Sequence, residues 1–373
     1  MFSKVHQNWL SQKQHLTQWD SYTKADVENA LNQENLKIEH LAPLISPAAQ
    51  PFIEIMAQKA YQKTRKRFGY TMNLFTPLYL SNHCVNSCVY CGFHHKLSIM
   101  RKTLTLKEIE EECKIISTQG FRQILLVSGE HPTEIPLSYL KDAVKIARKY
   151  FCYVAIEVYP LNQEGYHELV LEGLEGVTLF QETYHKKKYE EYHPKGPKAN
   201  FEQRLNTLSQ AALGGVKKLN LGVLLGLWHW REEVLSLAFH LSYLQKNFWN
   251  AETALSFPRI RQSAGGFAPP FPLSDLHFIQ MILALRLYDE QLGMVLSTRE
   301  SQKLRNALIP LGITSMSAGA KTGPGGHLQE EQGGEDQFKV SDNRTAQEVS
   351  DFLISLGYEP VWKDWEKVLS LKD

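Results

Sequence analysis

The chain has 373 residues, 43% hydrophobic and 22% charged, which is ordinary for a globular protein and long enough for one large domain with extensions or two ordinary ones. Its 41 Lys and Arg balance 40 Asp and Glu, so a net charge of +1 makes no electrostatic case for nucleic acid or an anionic membrane. No apolar run approaches a membrane span, residues 1–10 lack the apolar stretch of a secretory signal, and five cysteines with three clustered do not resemble a disulfide framework, so a cytoplasmic location is expected.

Residues 1–70 read as a helical cap or support, with helices expected over 24–32, 36–44 and 50–67. Residues 71–320 alternate short β-branched and apolar runs with runs of helical period, the pattern of repeated βα units. Strands are expected over 73–80, 121–128, 153–159, 176–182, 217–225, 253–260, 293–298 and 313–318. Helices are expected over 105–119, 137–149, 163–173, 201–213, 231–247, 274–290 and 301–308. About eight strands followed by helices, over roughly 250 residues, suit an α/β fold closed as a (β/α)8 TIM barrel. An open doubly wound sheet is the alternative, but no G-x-G-x-x-G follows any of these strands. Lys186-Lys187-Lys188, followed by Glu190 and Glu191, reads as a solvated helix face. Residues 321–373 read as a C-terminal extension. It opens on the glycine-rich loop 321–327, expected to be a mobile lid or linker, and continues to a helix near 345–356. Trp362 and Trp365 are expected to anchor its end.

The chemistry concentrates where the first strand ends. Cys84, Cys88 and Cys91 stand at C-x3-C-x2-C spacing with Tyr90 before the last, close enough for three thiolates to turn toward one metal centre. A structural zinc site takes four protein ligands, and neither Cys113 nor Cys152 has a paired partner. His83, His94 or His95 could supply a fourth, which keeps a zinc-stabilised binding protein or hydrolase as an alternative. An iron-sulfur cubane held by three cysteines leaves one iron open to a non-protein ligand.

In barrels of this kind chemistry collects at the C-terminal strand ends. The second strand ends in Ser128-Gly129-Glu130, where small residues admit a ligand and the carboxylate suits an ammonium group. Glu157 and Glu182 end the next two, and a buried carboxylate there is costly without a cation or donors. Arg259, Arg261 and Arg299 follow the sixth and seventh strands, and three arginines at one mouth suggest anionic ligands. An ion pair between Arg299 and Glu300 is the structural reading of the last.

The cysteine spacing with its aromatic resembles the signature of the radical S-adenosylmethionine enzymes. That resemblance implies one 4Fe-4S cluster on Cys84, Cys88 and Cys91, and S-adenosylmethionine held by Tyr90, Gly129, Glu130, Glu182 and Arg204. The run 221–227 is similar to the family's glycine-flanked strand against which adenine packs. Further stretches, among them 78–82, 90–93, 101–104, 128–131, 181–185, 256–259, 296–301, 321–326 and 361–365, resemble the tyrosine lyases of thiamine biosynthesis, the 2-iminoacetate synthases. This implies cleavage of the Cα–Cβ bond of L-tyrosine to 2-iminoacetate and p-cresol, with Arg299 and Ser317 on the substrate carboxylate. It also implies two partners, the thiazole synthase subunit of the pathway and a low-potential flavodoxin- or ferredoxin-type electron donor. A tryptophan lyase, a deazaflavin-synthesis lyase or a hydrogenase-maturation lyase is the alternative within the superfamily, and the last carries a second cysteine motif where this chain has no cysteine after Cys152.

Overall fold

The computed structural model describes residues 1–261, 265–328 and 333–362. Its centre is a closed parallel barrel of β1 (Thr71–Ser81), β2 (Gln123–Ser128), β3 (Tyr153–Glu157), β4 (Gly176–Glu182), β5 (Lys218–Val223), β6 (Glu252–Ser256), β7 (Gly293–Leu296) and β8 (Ser315–Ser317). Strands run in chain order, and β1 closes the ring by pairing with both β2 and β8. All eight expected strands are present. β6 stops before its expected end at 260 because Pro258 has no N–H to continue a ladder; its carbonyl instead accepts the Leu225 N–H at 2.8 Å.

Helices follow the strands, and most begin where a polar side chain accepts a backbone N–H. Thr105 forms a reciprocal capping box with Glu108, and Asn162, Asn200, Ser274 and Ser301 cap later helices. The basic run lies on the helix Lys186–Tyr192, where Lys188 pairs with Glu191 at 2.6 Å while Tyr189 and Tyr192 are buried.

The N-terminal segment packs on the outer helical layer. Helices Ile38–Ile45 and Ile53–Phe68 lie on Asp275–Tyr288, where Gln280 Nε2 donates to the Leu44 and Ser46 carbonyls at 3.0 and 2.9 Å. A further helix, Phe2–Gln12, was not expected from sequence. Phe2 stacks on His240 at 3.7 Å between ring centroids and Trp9 on Phe239 at 4.3 Å, so its partners lie more than two hundred residues away.

The extension returns to the barrel. Asp342 pairs with the fully buried Arg305, whose guanidinium also donates to the Ser317 carbonyl on β8. After the helix Ala346–Ser355, a short strand β9 (Glu359–Val361), also unexpected, pairs in parallel with the start of β1. Trp362 packs edge-on to Phe121 at 5.4 Å, while Trp365 lies outside the described residues. No helix among the described residues is long and apolar enough to cross a membrane.

The glycine-rich loop is seated on the barrel by Glu112, whose Oε1 accepts the His327 and Leu328 N–H groups at 3.1 and 2.7 Å. Its Oε2 is buried with no hydrogen-bond partner among the described residues, and burial pushes the carboxyl up to about 7. Its pKa is thus raised above the usual carboxylate value, so the folded state binds the extra proton and loses stability as pH climbs from about 4.5 to about 7. Glu112→Gln keeps the accepting oxygen and removes the charge. In thermal unfolding the variant is expected to match wild type near pH 4 and exceed it at pH 8 by about 1–3 kcal/mol; equal stability at pH 8 would overturn this.

Candidate active site

The first turn of loop after β1 carries all three clustered cysteines into one pocket at the C-terminal mouth of the barrel, lined also by Tyr90, Gly129, Glu130, Glu182 and Arg204. Backbone bonds place them: Val85 N–H donates to the Glu130 carbonyl at 2.8 Å and Cys91 N–H to the Cys88 carbonyl at 3.2 Å. Arg101 ties the loop's far end, donating to the carbonyls of Phe93 and His94 at 2.9 and 2.7 Å.

The thiols suit a polynuclear cluster. Burial pushes Cys88 up to about 12 and raises Cys91, so thiolates there call for a bound cation. Each of two sulfurs already has weak donors: Asn86 Nδ2 lies 3.7 Å from Cys84, and the Phe93 N–H and Gln337 Nε2 lie 3.4 and 3.7 Å from Cys91. Among the described residues no three His, Cys, Asp or Glu side chains are grouped to hold a single metal ion. Sulfurs that each bind a different iron need no such convergence. The histidines that zinc would require are engaged elsewhere: His95 with Ser87 at 3.0 Å, His94 stacked on His95, and His83 facing His131.

Around the thiols the acids and bases sort into two groups. Glu130 accepts from Asn86 Nδ2 at 2.6 Å, and Gly129 is held so close that a Cβ would fall 2.2 Å from the His83 carbonyl oxygen. Opposite lies Glu182, where the β4 ladder bulges and φ is 69°, a left-handed conformation costly for any residue but glycine. It accepts from Lys198 Nζ at 2.6 Å and Arg204 at 3.2 Å. Burial works against its charge, but those two cations outweigh burial and hold its carboxyl below the usual range. Arg204 sits in the first turn of the helix Phe201–Leu213 and also donates to the Phe180 carbonyl at 2.6 Å. Leu224 of the glycine-flanked run lines the same pocket.

A second cavity runs down the barrel axis and shares with the first a wall made by Val127, Glu157, Phe180, Pro258, Arg299, Gln337 and Phe338. Ser317 lines this cavity, its Oγ accepting the Thr298 N–H at 3.1 Å. Deeper in, Asn220 joins Ser256 at 2.9 Å and Thr178 at 3.2 Å in a small polar cluster.

The three mouth arginines, which the sequence reading set toward anionic ligands, are not equivalent. Glu300 pairs with Arg259 and with Arg261, the latter at 2.6 Å, and Asp275 also meets Arg259 at 2.8 Å. Those two cations are neutralised within the fold. Arg299 does not pair with its neighbour Glu300; its guanidinium carbon lies over the Phe338 ring, 3.4 Å from the centroid, and its guanidinium has no hydrogen bond among the described residues. Sequence reasoning missed Lys198, Asn86, Gln337 and Phe338, which no motif singles out. Gln337 and Phe338 reach the site only because the extension folds back over the mouth, where Tyr79 donates to Gln337 at 2.9 Å.

Residues 78–238 match the model of the Radical SAM superfamily, and residues 256–359 match that of the Biotin and Thiamin Synthesis associated domain. The chain is 42% identical over 348 residues to a 2-iminoacetate synthase from Salmonella typhimurium, covering 93% of this chain and 92% of that protein. Its counterpart from Escherichia coli is 41% identical over the same length. Among solved structures, the FeFe-hydrogenase maturase HydG superposes with a TM-score of 0.88 at 31% identity, covering 94% of this chain and 79% of HydG.

Proposed function

The chain belongs to the 2-iminoacetate synthase family of the radical S-adenosylmethionine superfamily, and on that premise we propose a carbon–carbon lyase that cleaves the Cα–Cβ bond of L-tyrosine. The products are 2-iminoacetate, also called dehydroglycine, and p-cresol, with 5'-deoxyadenosine and methionine, and the pathway served is the thiazole moiety of thiamine.

The observation that carries this reading is a pair of adjoining cavities, one lined by three thiols and the other running into the barrel, with a common wall. Cys84, Cys88 and Cys91 would hold one 4Fe-4S cluster, since Cys113 and Cys152 lie outside both cavities. When bound, the cluster supplies the electron that splits S-adenosylmethionine to methionine and a deoxyadenosyl radical. Glu130 suits the cofactor's ammonium group, Arg204 its carboxylate and Glu182 its ribose, with Tyr90 and Gly129 shaping the cradle. Substrate lies across the wall, its carboxylate on Arg299 and Ser317. The Thr178, Asn220 and Ser256 cluster supports a substrate whose far end carries a polar group, which a phenol hydroxyl supplies as donor and acceptor and a plain phenyl ring does not. Dehydroglycine hydrolyses in water, so a closed cavity and transfer to the thiazole synthase subunit fit together. We place the reaction in the cytoplasm, with a flavodoxin- or ferredoxin-type protein as electron donor.

Anaerobically reconstituted protein given reductant, S-adenosylmethionine and L-tyrosine is expected to form 5'-deoxyadenosine and p-cresol in step. Deoxyadenosine without p-cresol would move the substrate elsewhere, with L-tryptophan the next to test.

A further inference from the structure

Among the described residues, Glu157 is the one carboxylate on the wall that the two cavities share. It ends β3 and, among the described residues, no hydrogen bond or ion pair reaches its carboxyl group. The charged and titratable groups facing it are Arg299 after β7, Glu182 at the end of β4, Lys198 and Arg204 beyond it, and Tyr79 on β1. Lys198 and Arg204 are already engaged with Glu182, and Tyr79 with Gln337. That leaves, among the described residues, Glu157 and Arg299 as a carboxyl group and a guanidinium on one wall with no hydrogen bond to either side chain, facing the junction of cofactor and substrate spaces.

An amino acid whose carboxylate rests on Arg299 carries its ammonium group one carbon away. We propose that Glu157 receives the substrate's α-ammonium group and accepts one of its protons, leaving a neutral amine at the junction. The step breaks one N–H bond and forms one O–H bond; ammonium becomes amine, carboxylate becomes carboxylic acid, and no electron moves. It rests on the reading of the chain as a tyrosine lyase, with the added premise that the deoxyadenosyl radical takes its hydrogen from the substrate nitrogen. A neutral amine is the form from which a hydrogen atom leaves to give an uncharged nitrogen radical. Burial pushes the Glu157 carboxyl up to about 7, against the pull of Arg299, which suits a group exchanging protons near neutral pH.

The test uses anaerobically reconstituted holoenzyme, wild type and Glu157→Gln, with equilibrium binding of L-tyrosine, of 3-(4-hydroxyphenyl)propionate, which lacks the amino group, and of S-adenosylmethionine. Glu157→Gln is expected to weaken L-tyrosine at least ~10-fold while leaving the other two unchanged, and to remove the acidic limb near pH 7 from kcat/KM. Equal weakening of tyrosine and the amino-free analogue, or weakening of S-adenosylmethionine alone, overturns the assignment. A wild type that makes no p-cresol from tyrosine overturns the substrate reading and this assignment with it. Wild-type p-cresol formation together with unaltered tyrosine binding and pH profile in the variant overturns the assignment alone.

Discussion

Cys88→Ala is expected to give a folded protein with no iron-sulfur absorbance and with deoxyadenosine and p-cresol formation reduced by more than ~10³-fold. Cys88 is 5% exposed at the centre of the three-thiol loop, so its removal deletes one of the three proposed protein ligands. The loss of a buried sulfur costs roughly 1 kcal/mol or slightly more, too little to unfold a barrel of this size. The loop also keeps its own backbone ties, from Val85 N–H to the Glu130 carbonyl and from Ser87 N–H to the Lys195 carbonyl at 3.1 Å. Circular dichroism unchanged from wild type, with iron content and both products gone, is the expected pattern. Cys113→Ala is the matched control: Cys113 is fully buried in the hydrophobic core on the helix Leu106–Thr118, so its loss lowers stability while iron content persists. Retained turnover in Cys88→Ala would remove the basis for the cofactor reading.

The second large effect is at Arg299. A half-buried guanidinium with no anionic partner among the described residues is costly, and burial lowers its pKa even though Tyr79, Glu157 and Glu182 act the other way. Its guanidinium carbon lies 3.4 Å from the Phe338 ring centroid, and a guanidinium can give a carboxylate two parallel bonds. Arg299→Gln should therefore raise KM for L-tyrosine about 10²-fold, in keeping with the ~2–5 kcal/mol lost when one member of a buried charge pair is removed. Arg299→Lys should restore little, since an ammonium offers no planar fork. Arg261→Gln serves as the comparison: Arg261 lies at the same mouth but shares Glu300 with Arg259, so its loss leaves that acid one cation and moves KM far less. Equal KM effects at 261 and 299 would show that the substrate carboxylate does not depend on Arg299.

The barrel was legible because its signal is local and repeated. Each strand from β1 to β8 carries its own apolar run, and most of the following helices carry a cap, such as Thr105 with Glu108 or Ser274. Where neighbours in sequence do not supply the stabilising contacts, the pattern fell silent. The helix Phe2–Gln12 is held by Phe239 and His240, and β9 by the first residues of β1, so neither leaves a periodic trace of its partner. The site divides the same way. Thiols at fixed short spacing must share a loop, whereas Lys198, Gln337 and Phe338 become site residues through chain crossings that spacing cannot express.

The sequence by itself determined a (β/α)8 fold, a three-thiol loop at the end of the first strand, and the acids that cap the strands after it, because strand period, caps and cysteine spacing are short-range properties. Only the tertiary structure decided which charges are spent and which are free. Arg259 and Arg261 are neutralised by Glu300, Glu182 by Lys198 and Arg204, and Glu157 and Arg299 are left facing the junction of two cavities. Pairing of charges depends on distances of a few ångströms between strands far apart in the chain, and closing the barrel is what sets those distances.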